Sequence, residues 1–192
     1  MSHKDLILLG GGGHCKSVID VAESAGYTIL GIFDKPELVG TNVLGYEVIG
    51  TDDDIPKYID KAKFVITVGQ IKSPVIRQKL ASLVNMAGGK LVTIIANDAH
   101  VSKYSEIGEG TVVMHKAVVN AGAKIGRNCI INTMANIEHD CEIGDFCHIS
   151  TGALVNGDCK IGDKTFIGSG AVVVNGVIVE SNSFIKAGCL KK

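Results

Sequence analysis

A six-residue repeat that runs from Ile95 to Leu190 constrains the fold of this chain more than any other feature. The first residue of each hexad is Ile or Val at all sixteen positions. The fifth residue is small almost throughout, and Gly, Asn and Asp are frequent between these two positions. A period of six fits neither an α-helix nor a plain alternating strand. A fixed short period over this length predicts a solenoid.

Such hexads bury their apolar residues by stacking. Three hexads make one triangular coil, in which a β-branched residue points inward from each flat face and the small residue fits at the corner beside it. Equivalent residues of successive coils then stack, so each coil buries its Ile or Val against the next, and we expect about five coils with one continuous core. The sequence contains no Cys-x-x-Cys pair, so it gives no support for a zinc site or a redox motif. We therefore expect the cysteines at corner positions to serve as compact apolar side chains that fill the corners. These are Cys129, Cys141, Cys147, Cys159 and Cys189.

The first 94 residues follow a different pattern. Helical spacing precedes Gly26, a second helix is expected from Ser73-Pro74 to Met86, and a short helix is expected over 52–60. Residues 43–50 have the pattern of a short hairpin or loop. Apolar segments predict strands at 5–9, 28–33, 64–68 and 90–95. This alternation predicts a small parallel α/β sheet, so we assign a Rossmann-like domain to residues 1–94 and a parallel β-helix to residues 95–192.

A glycine run between the first strand and the first helix is the first chemical signal. Gly10 to Gly13 precede His14 at the expected helix start, where free N–H groups can face a phosphate. The dinucleotide fingerprint needs a further glycine where this chain has Cys15, so a nucleotide-sugar phosphate fits better than NAD. Asp34 ends the second strand and could accept hydrogen bonds from a ribose or a uracil. The alternatives are a tight turn without a ligand and a purely local capping role for His14.

His139 is the histidine in the most informative surroundings. It lies third in its hexad, between Glu138 and Asp140. Its expected neighbours on adjacent coils, Ala121 and Gly157, are small and leave space beside the imidazole for a narrow ligand. Asp140 could orient the ring and raise its basicity. A histidine on a solenoid surface is usually inert, but this combination makes His139 a candidate catalytic base.

The whole chain resembles the PglD/NeuD-type bacterial sugar acetyltransferases. The resemblance depends on the glycine loop ending in His14, on Asp34, and on the segments 132–140, 146–150 and 156–158. It implies a left-handed parallel β-helix of hexapeptide repeats. It also implies an enzyme that transfers acetyl from acetyl-CoA to a nucleotide-activated amino sugar, of the UDP-4-amino-sugar N-acetyltransferase type, in bacterial surface glycan biosynthesis. It also implies a homotrimer with the coenzyme between neighbouring prisms.

The resemblance assigns roles to individual residues. His139 corresponds to the general base and Asp140 to the acidic partner that raises its basicity. His148 matches a histidine that contacts acetyl-CoA, while Ser169 and Ala187 fall at later coenzyme-contacting positions. The sugar nucleotide is expected at Gly12, Gly13, His14, Asp34, Lys35 and Gly69.

The expected mechanism is direct transfer. His139 would take a proton from the attacking amine or hydroxyl, and the N–H of Gly157 could stabilise the oxyanion. We expect neither an acyl-enzyme nor a catalytic metal. Two departures from the family leave questions open. Lys35 stands where some relatives carry a second Asp, so the nucleotide or sugar could differ. The sequence also lacks the Gly-x-Pro-Ala-Lys-like tail of many hexapeptide enzymes. Lys186, Lys191 and Lys192 therefore either contact coenzyme phosphates or are solvated.

Composition restricts the partners and the location. The formal net charge is −1, and nothing suggests binding to nucleic acid or to an anionic membrane surface. No apolar run is long enough for membrane insertion, and the first five residues have no signal-peptide pattern. We therefore expect a cytoplasmic protein.

Three other functions compete with amino-sugar acetylation. The nearest is O-acetylation of a sialic-acid-type sugar. A hexapeptide-repeat carbonic anhydrase needs three histidines around a metal, and the spacing of His115, His139 and His148 does not fit that arrangement. A nucleotide-binding trimeric scaffold without turnover is the non-enzyme alternative.

Overall fold

The N-terminal part of the computed structural model is a mixed five-stranded sheet with a helix on each side. The structure describes residues 4–192, so Met1 to His3 lie outside the described residues. Its elements are β1 (Asp5–Leu9), α1 (Gly13–Ser24), β2 (Thr28–Phe33), β3 (Asn42–Val43), β4 (Tyr46–Gly50), β5 (Lys63–Ile66) and α2 (Val75–Met86). The sheet order is β3-β4-β2-β1-β5. Strands β4, β2, β1 and β5 are parallel, whereas β3 and β4 form an antiparallel hairpin, so the sheet is mixed and not purely parallel.

Two predicted elements differ from the structure. The strand predicted over 90–95 is only a bridge between Leu91 and Phe64, because the backbone of Ile94 and Ile95 pairs instead with the β-helix. The helix predicted over 52–60 is a 3-10 helix at Asp52–Lys57, and its N-cap is Thr51, which forms a capping box with Asp54. A second 3-10 helix spans Pro36–Leu38.

The C-terminal part is a triangular stack of two-residue parallel strands, as the hexads predict. Face A, which the N-terminal domain covers, contains β6 (Ile94–Ile95), β9 (Val112–Val113), β12 (Ile130–Ile131), β15 (His148–Ile149), β18 (Phe166–Ile167) and β21 (Phe184–Ile185). Face B contains β7 (His100–Val101), β10 (Val118–Val119), β13 (Asn136–Ile137), β16 (Leu154–Val155), β19 (Val172–Val173) and β22 (Leu190–Lys191). Face C contains β8 (Glu106–Ile107), β11 (Lys124–Ile125), β14 (Glu142–Ile143), β17 (Lys160–Ile161) and β20 (Ile178–Val179).

The corners of the prism depend on one backbone conformation. The fourth residue of each hexad from Gly110 to Gly188 has a positive φ, whether it is Gly, Asn, Asp or a larger residue such as Met134. Gly, Asn and Asp reach this left-handed region at low cost, which explains why they are frequent in the repeat. The chain therefore turns by the same angle at each corner, and the stack stays in register.

The first residue of each hexad forms the core of the prism. From Val113 to Val179 these Ile and Val side chains are at most 4% exposed, and they pack in one continuous cluster with the small corner residues. The corner cysteines from Cys129 to Cys159 are buried, as expected of fillers. Cys189, at the corner of the last hexad, is exposed.

The N-terminal domain packs directly against face A. Ile94, Val112 and Met114 join a buried cluster with Cys15 and Ile19 of α1. The boundary that we assign between residues 94 and 95 therefore falls inside β6 and crosses a shared core. No helix among residues 4–192 is both long and apolar enough to cross a membrane.

The stacked core predicts a sharp difference between inward and outward isoleucines. Ile149 is fully buried, so Ile149→Ala should leave a cavity and lower the free energy of unfolding by about 2–5 kcal/mol. Ile178 is 65% exposed, so the matched change Ile178→Ala should alter it by less than about 0.5 kcal/mol. Guanidinium unfolding followed by circular dichroism measures both, and equal losses would contradict this description of the core.

Candidate active site

The six residues predicted to bind a sugar nucleotide surround one cavity. Its volume is about 620 Å³, and it opens between the ends of β1, β2 and β5 and the face of α2. Its walls include Thr67, Val68, Ile76 and Lys79 as well as the predicted Gly12, Gly13, His14, Asp34, Lys35 and Gly69. The carboxyl ends of parallel strands are where such folds bind their ligands.

The glycine loop forms one side of the cavity. Gly10 has a φ of +109° and packs so closely on Val68 that a side chain there would collide with it. Gly12 and Gly13 have open space where a side chain would project, so the first turn of α1 faces the cavity directly. This turn contains no acidic residue. Its N–H groups and the helix dipole therefore favour an anion such as a phosphate.

Asp34 closes the glycine loop. One carboxylate oxygen accepts a hydrogen bond from the N–H of Gly11, and the other accepts one from the N–H of Lys35 at 2.7 Å. Both oxygens therefore already hold backbone groups of the cavity wall. This clamp was not foreseen from the sequence, and direct binding of a ribose or uracil by Asp34 stays a prediction.

His14 lies on the inner side of the cavity. Burial, and then the nearby positive charge of Arg77, lowers its pKa from 6.5 to about 4, so the ring is neutral at pH 7. Its Nε2 atom is buried and has no hydrogen-bond partner among the described residues. A neutral ring with a free nitrogen could donate to or accept from a ligand in the cavity.

His139 and Asp140 lie together on the edge between faces B and C, which we call the His139 edge. Nδ1 of His139 is 2.9 Å from Oδ2 of Asp140, so the carboxylate accepts the Nδ1 proton and leaves Nε2 as the basic atom of the neutral ring. The hydrogen bond that His139 donates to Asp140 is the main cause that raises the pKa of His139. Glu138 beside it accepts hydrogen bonds from the amides of Asn120 and Asn136, both at 2.9 Å.

Gly157 stacks on His139 in the next coil. A side chain at position 157 would come within 2.7 Å of Cε1 and Nε2 of the imidazole. The N–H of Asp158 donates to the carbonyl of His139, which fixes this register. The predicted small neighbour is therefore a steric requirement for this position of the ring.

His148 is buried at the junction between the two domains. Its Nδ1–H donates to the carbonyl of Gln70, and Nε2 accepts from the side-chain amide of Asn132 at 3.0 Å. The ring also packs edge-to-face on Phe166, with 5.2 Å between centroids. Burial lowers its pKa to about 4. Both ring nitrogens are thus engaged within the protein, and contact with acetyl-CoA stays a prediction.

The predicted coenzyme residues do not all lie together. Ser169 and Ala187 are exposed on the edge between faces A and B, which we call the Ser169 edge, and Ser169 is hydrogen-bonded to Ser150 at 2.9 Å. Gly157 lies on the His139 edge, across face B. One protomer therefore holds three separate groups: the cavity, the Ser169 edge and the His139 edge.

Among residues 4–192, no cluster of three or more His, Cys, Asp or Glu side chains could hold a metal ion. His115 instead bridges the domains, with Nδ1 2.6 Å from Asp98 and Nε2 3.3 Å from Asp20 of α1. His115, His139 and His148 thus lie in three different surroundings.

Comparison with known proteins covers nearly the whole chain. Residues 5–84 match the PglD N-terminal domain family, and residues 122–157 and 158–190 match the bacterial transferase hexapeptide (six repeats) family. The acetyltransferase domain of PglB from Neisseria gonorrhoeae FA1090, in complex with acetyl coenzyme A, is 34% identical with a TM-score of 0.90, and the match covers 99% of this chain and 93% of that one.

Two other solved structures are similar. PerB from Caulobacter crescentus, in complex with CoA and GDP-perosamine, is 31% identical with a TM-score of 0.88, and the match covers 98% of this chain and 91% of that one. WeeI from Acinetobacter baumannii AYE is 26% identical with a TM-score of 0.77, covering 96% and 94%. A curated relative, the uncharacterized protein L142 of Acanthamoeba polyphaga mimivirus, is 35% identical over 106 residues, which are 55% of this chain and 20% of that protein.

The His139–Asp140 pair predicts a specific titration. Because the hydrogen bond to Asp140 stabilises the protonated ring, Asp140→Asn should lower the pKa of His139. Asp158→Asn should lower it less, because Asp158 acts only through its charge and is the smallest cause. NMR titration of the imidazole Cε1–H, assigned with His139→Gln, measures both. An unchanged pKa in Asp140→Asn would refute the pairing.

Proposed function

This chain belongs to the PglD-type family of hexapeptide-repeat sugar acetyltransferases, and on that premise we propose that it transfers acetyl from acetyl-CoA to the amine of a nucleotide-activated amino sugar. The observation that carries the proposal is the His139–Asp140 pair, in which the carboxylate holds Nδ1 and the His139 side chain is 61% exposed. The cavity beside the N-terminus of α1 supplies a place for the phosphates. The relatives in complex with acetyl coenzyme A, or with CoA and GDP-perosamine, support the same pair of substrates.

We propose that the chemistry is one direct transfer. Nε2 of His139 removes a proton from the amine as its nitrogen attacks the thioester carbonyl. The C–N bond forms, the carbonyl becomes an oxyanion, and the C–S bond then breaks to release the thiolate of CoA. The protonated His139 returns its proton to the thiolate. The N–H of Gly157 donates to no described group, so it is our candidate donor to the oxyanion.

The position of His139 favours an active site shared between protomers. The N-terminal domain, which contains the cavity, covers face A, whereas the His139 edge lies between the other two faces. Face B has apolar outward residues, including Leu154 and Leu190. In a closed threefold ring packed through face B, the Ser169 edge of one protomer would meet the His139 edge of the next. We propose this homotrimer, with acetyl-CoA between the two edges.

Acetyl-CoA turnover with a panel of acceptors tests the reaction. We expect thiol release with a UDP-4-amino sugar or a GDP-amino sugar, and a loss of about 100-fold or more in His139→Ala. Lys124→Ala, at an exposed residue of face C, should keep wild-type activity. Turnover with a free sialic acid alone would favour O-acetylation. Nucleotide binding without turnover of any acceptor would favour the scaffold.

Mixed trimers test the shared site. Gly12→Trp should block the cavity, because Gly12 has open space and an extended backbone that accepts a side chain. His139→Ala and Gly12→Trp should each be inactive, yet a co-refolded equal mixture should regain about a quarter of the wild-type activity, since random assembly pairs an intact cavity with an intact neighbouring base at that frequency. A mixture that stays inactive would place each site within one protomer.

A further inference from the structure

Arg77 of α2 is the most deeply buried charged residue of the described chain. It is 1% exposed. Its guanidinium donates to the carbonyls of Val68 at 2.6 Å, Ile66 at 3.2 Å and Asn128 at 3.0 Å. Ile66 ends β5, Val68 lies two residues beyond that strand, and Asn128 belongs to the β-helix. Arg77 therefore fastens the cavity floor to the prism.

Among residues 4–192, no carboxylate is paired with this charge. Arg77 has only carbonyl partners, and its Nε atom has no hydrogen-bond partner among the described residues. Burial lowers its pKa to about 10, which leaves the guanidinium protonated at neutral pH. A buried charge without an ionic partner is costly, so an anionic ligand nearby would offset part of that cost.

Val68, whose carbonyl is the closest partner of Arg77, also supports the glycine loop. Val68 packs against Gly10, where no side chain would fit. The hydroxyl of Thr67 donates to the carbonyl of Gly10. The end of β5 and the glycine loop thus form one unit, and displacement of Val68 would move the N–H groups that face the cavity.

We propose that Arg77 is a positioning residue for the diphosphate of the sugar nucleotide, acting through Val68 on the glycine loop and through its unbalanced charge. This inference rests on the proposed function, and Arg77 itself lies outside the wall of the cavity.

Steady-state kinetics of Arg77→Met and Arg77→Lys test the inference, with UDP and GDP binding measured by calorimetry. Arg77→Met should raise two constants by about 10- to 100-fold. These are the KM for the sugar nucleotide and the Kd for whichever nucleoside diphosphate the wild type binds. The KM for acetyl-CoA should change less than about twofold. Arg77→Lys keeps the charge and should recover part of the affinity. Arg127→Met, at an exposed arginine paired with Asp145, is the matched control and should match wild type.

A purely structural role predicts a different result. It would lower the melting temperature and leave both KM values unchanged, or raise them together, and either result would overturn the proposal. If Arg77→Met does not fold, Arg77→Lys decides, and wild-type diphosphate affinity in that variant would refute it. A wild-type protein that binds neither UDP nor GDP and acetylates no sugar nucleotide would overturn the proposed function and this inference together. Normal turnover in every variant would overturn this inference alone.

Discussion

The contact between equivalent Ile and Val residues of successive coils is the interaction on which the rest of the structure depends. Each inward side chain meets the same kind of side chain above and below, so one register buries every hexad at once. A slip by one residue would turn these side chains outward. Because the corner residues share one left-handed conformation, the prism has straight edges. Chemical groups on an edge are then placed at fixed spacing along it.

This periodicity explains why much of the fold could be predicted from the sequence. The hexads identify inward and corner positions without knowledge of any distant contact, and the structure follows them from Val113 to Val179. The stacking of Gly157 on His139 is predictable for the same reason, since it follows from counting along the repeat. The hairpin and both α-helices also follow from local signals.

Contacts between distant parts of the chain could not be predicted in this way. His148 is bonded to Gln70, and Arg77 to Asn128, across the junction between the domains. Nothing in the spacing of either segment indicates its partner. The prediction of a strand at 90–95 was wrong for a related reason. Ile94 and Ile95 could pair with the N-terminal sheet or with the β-helix, and in the structure they pair with the β-helix. Asp34 lies at the predicted cavity, yet its hydrogen bonds to the loop needed the three-dimensional structure.

The exposure of His139 connects the stability of the prism to its chemistry. The His139 side chain is 61% exposed and that of Asp140 is 66% exposed, so water screens their interaction in one protomer. In the proposed trimer a neighbouring edge would cover this pair and lower the local dielectric, which strengthens the attraction between imidazolium and carboxylate. Assembly would then do more than bring the cavity near the base. It would also change the basicity of Nε2 through two opposed effects, because the stronger attraction raises the pKa of His139 whereas desolvation of the imidazolium lowers it.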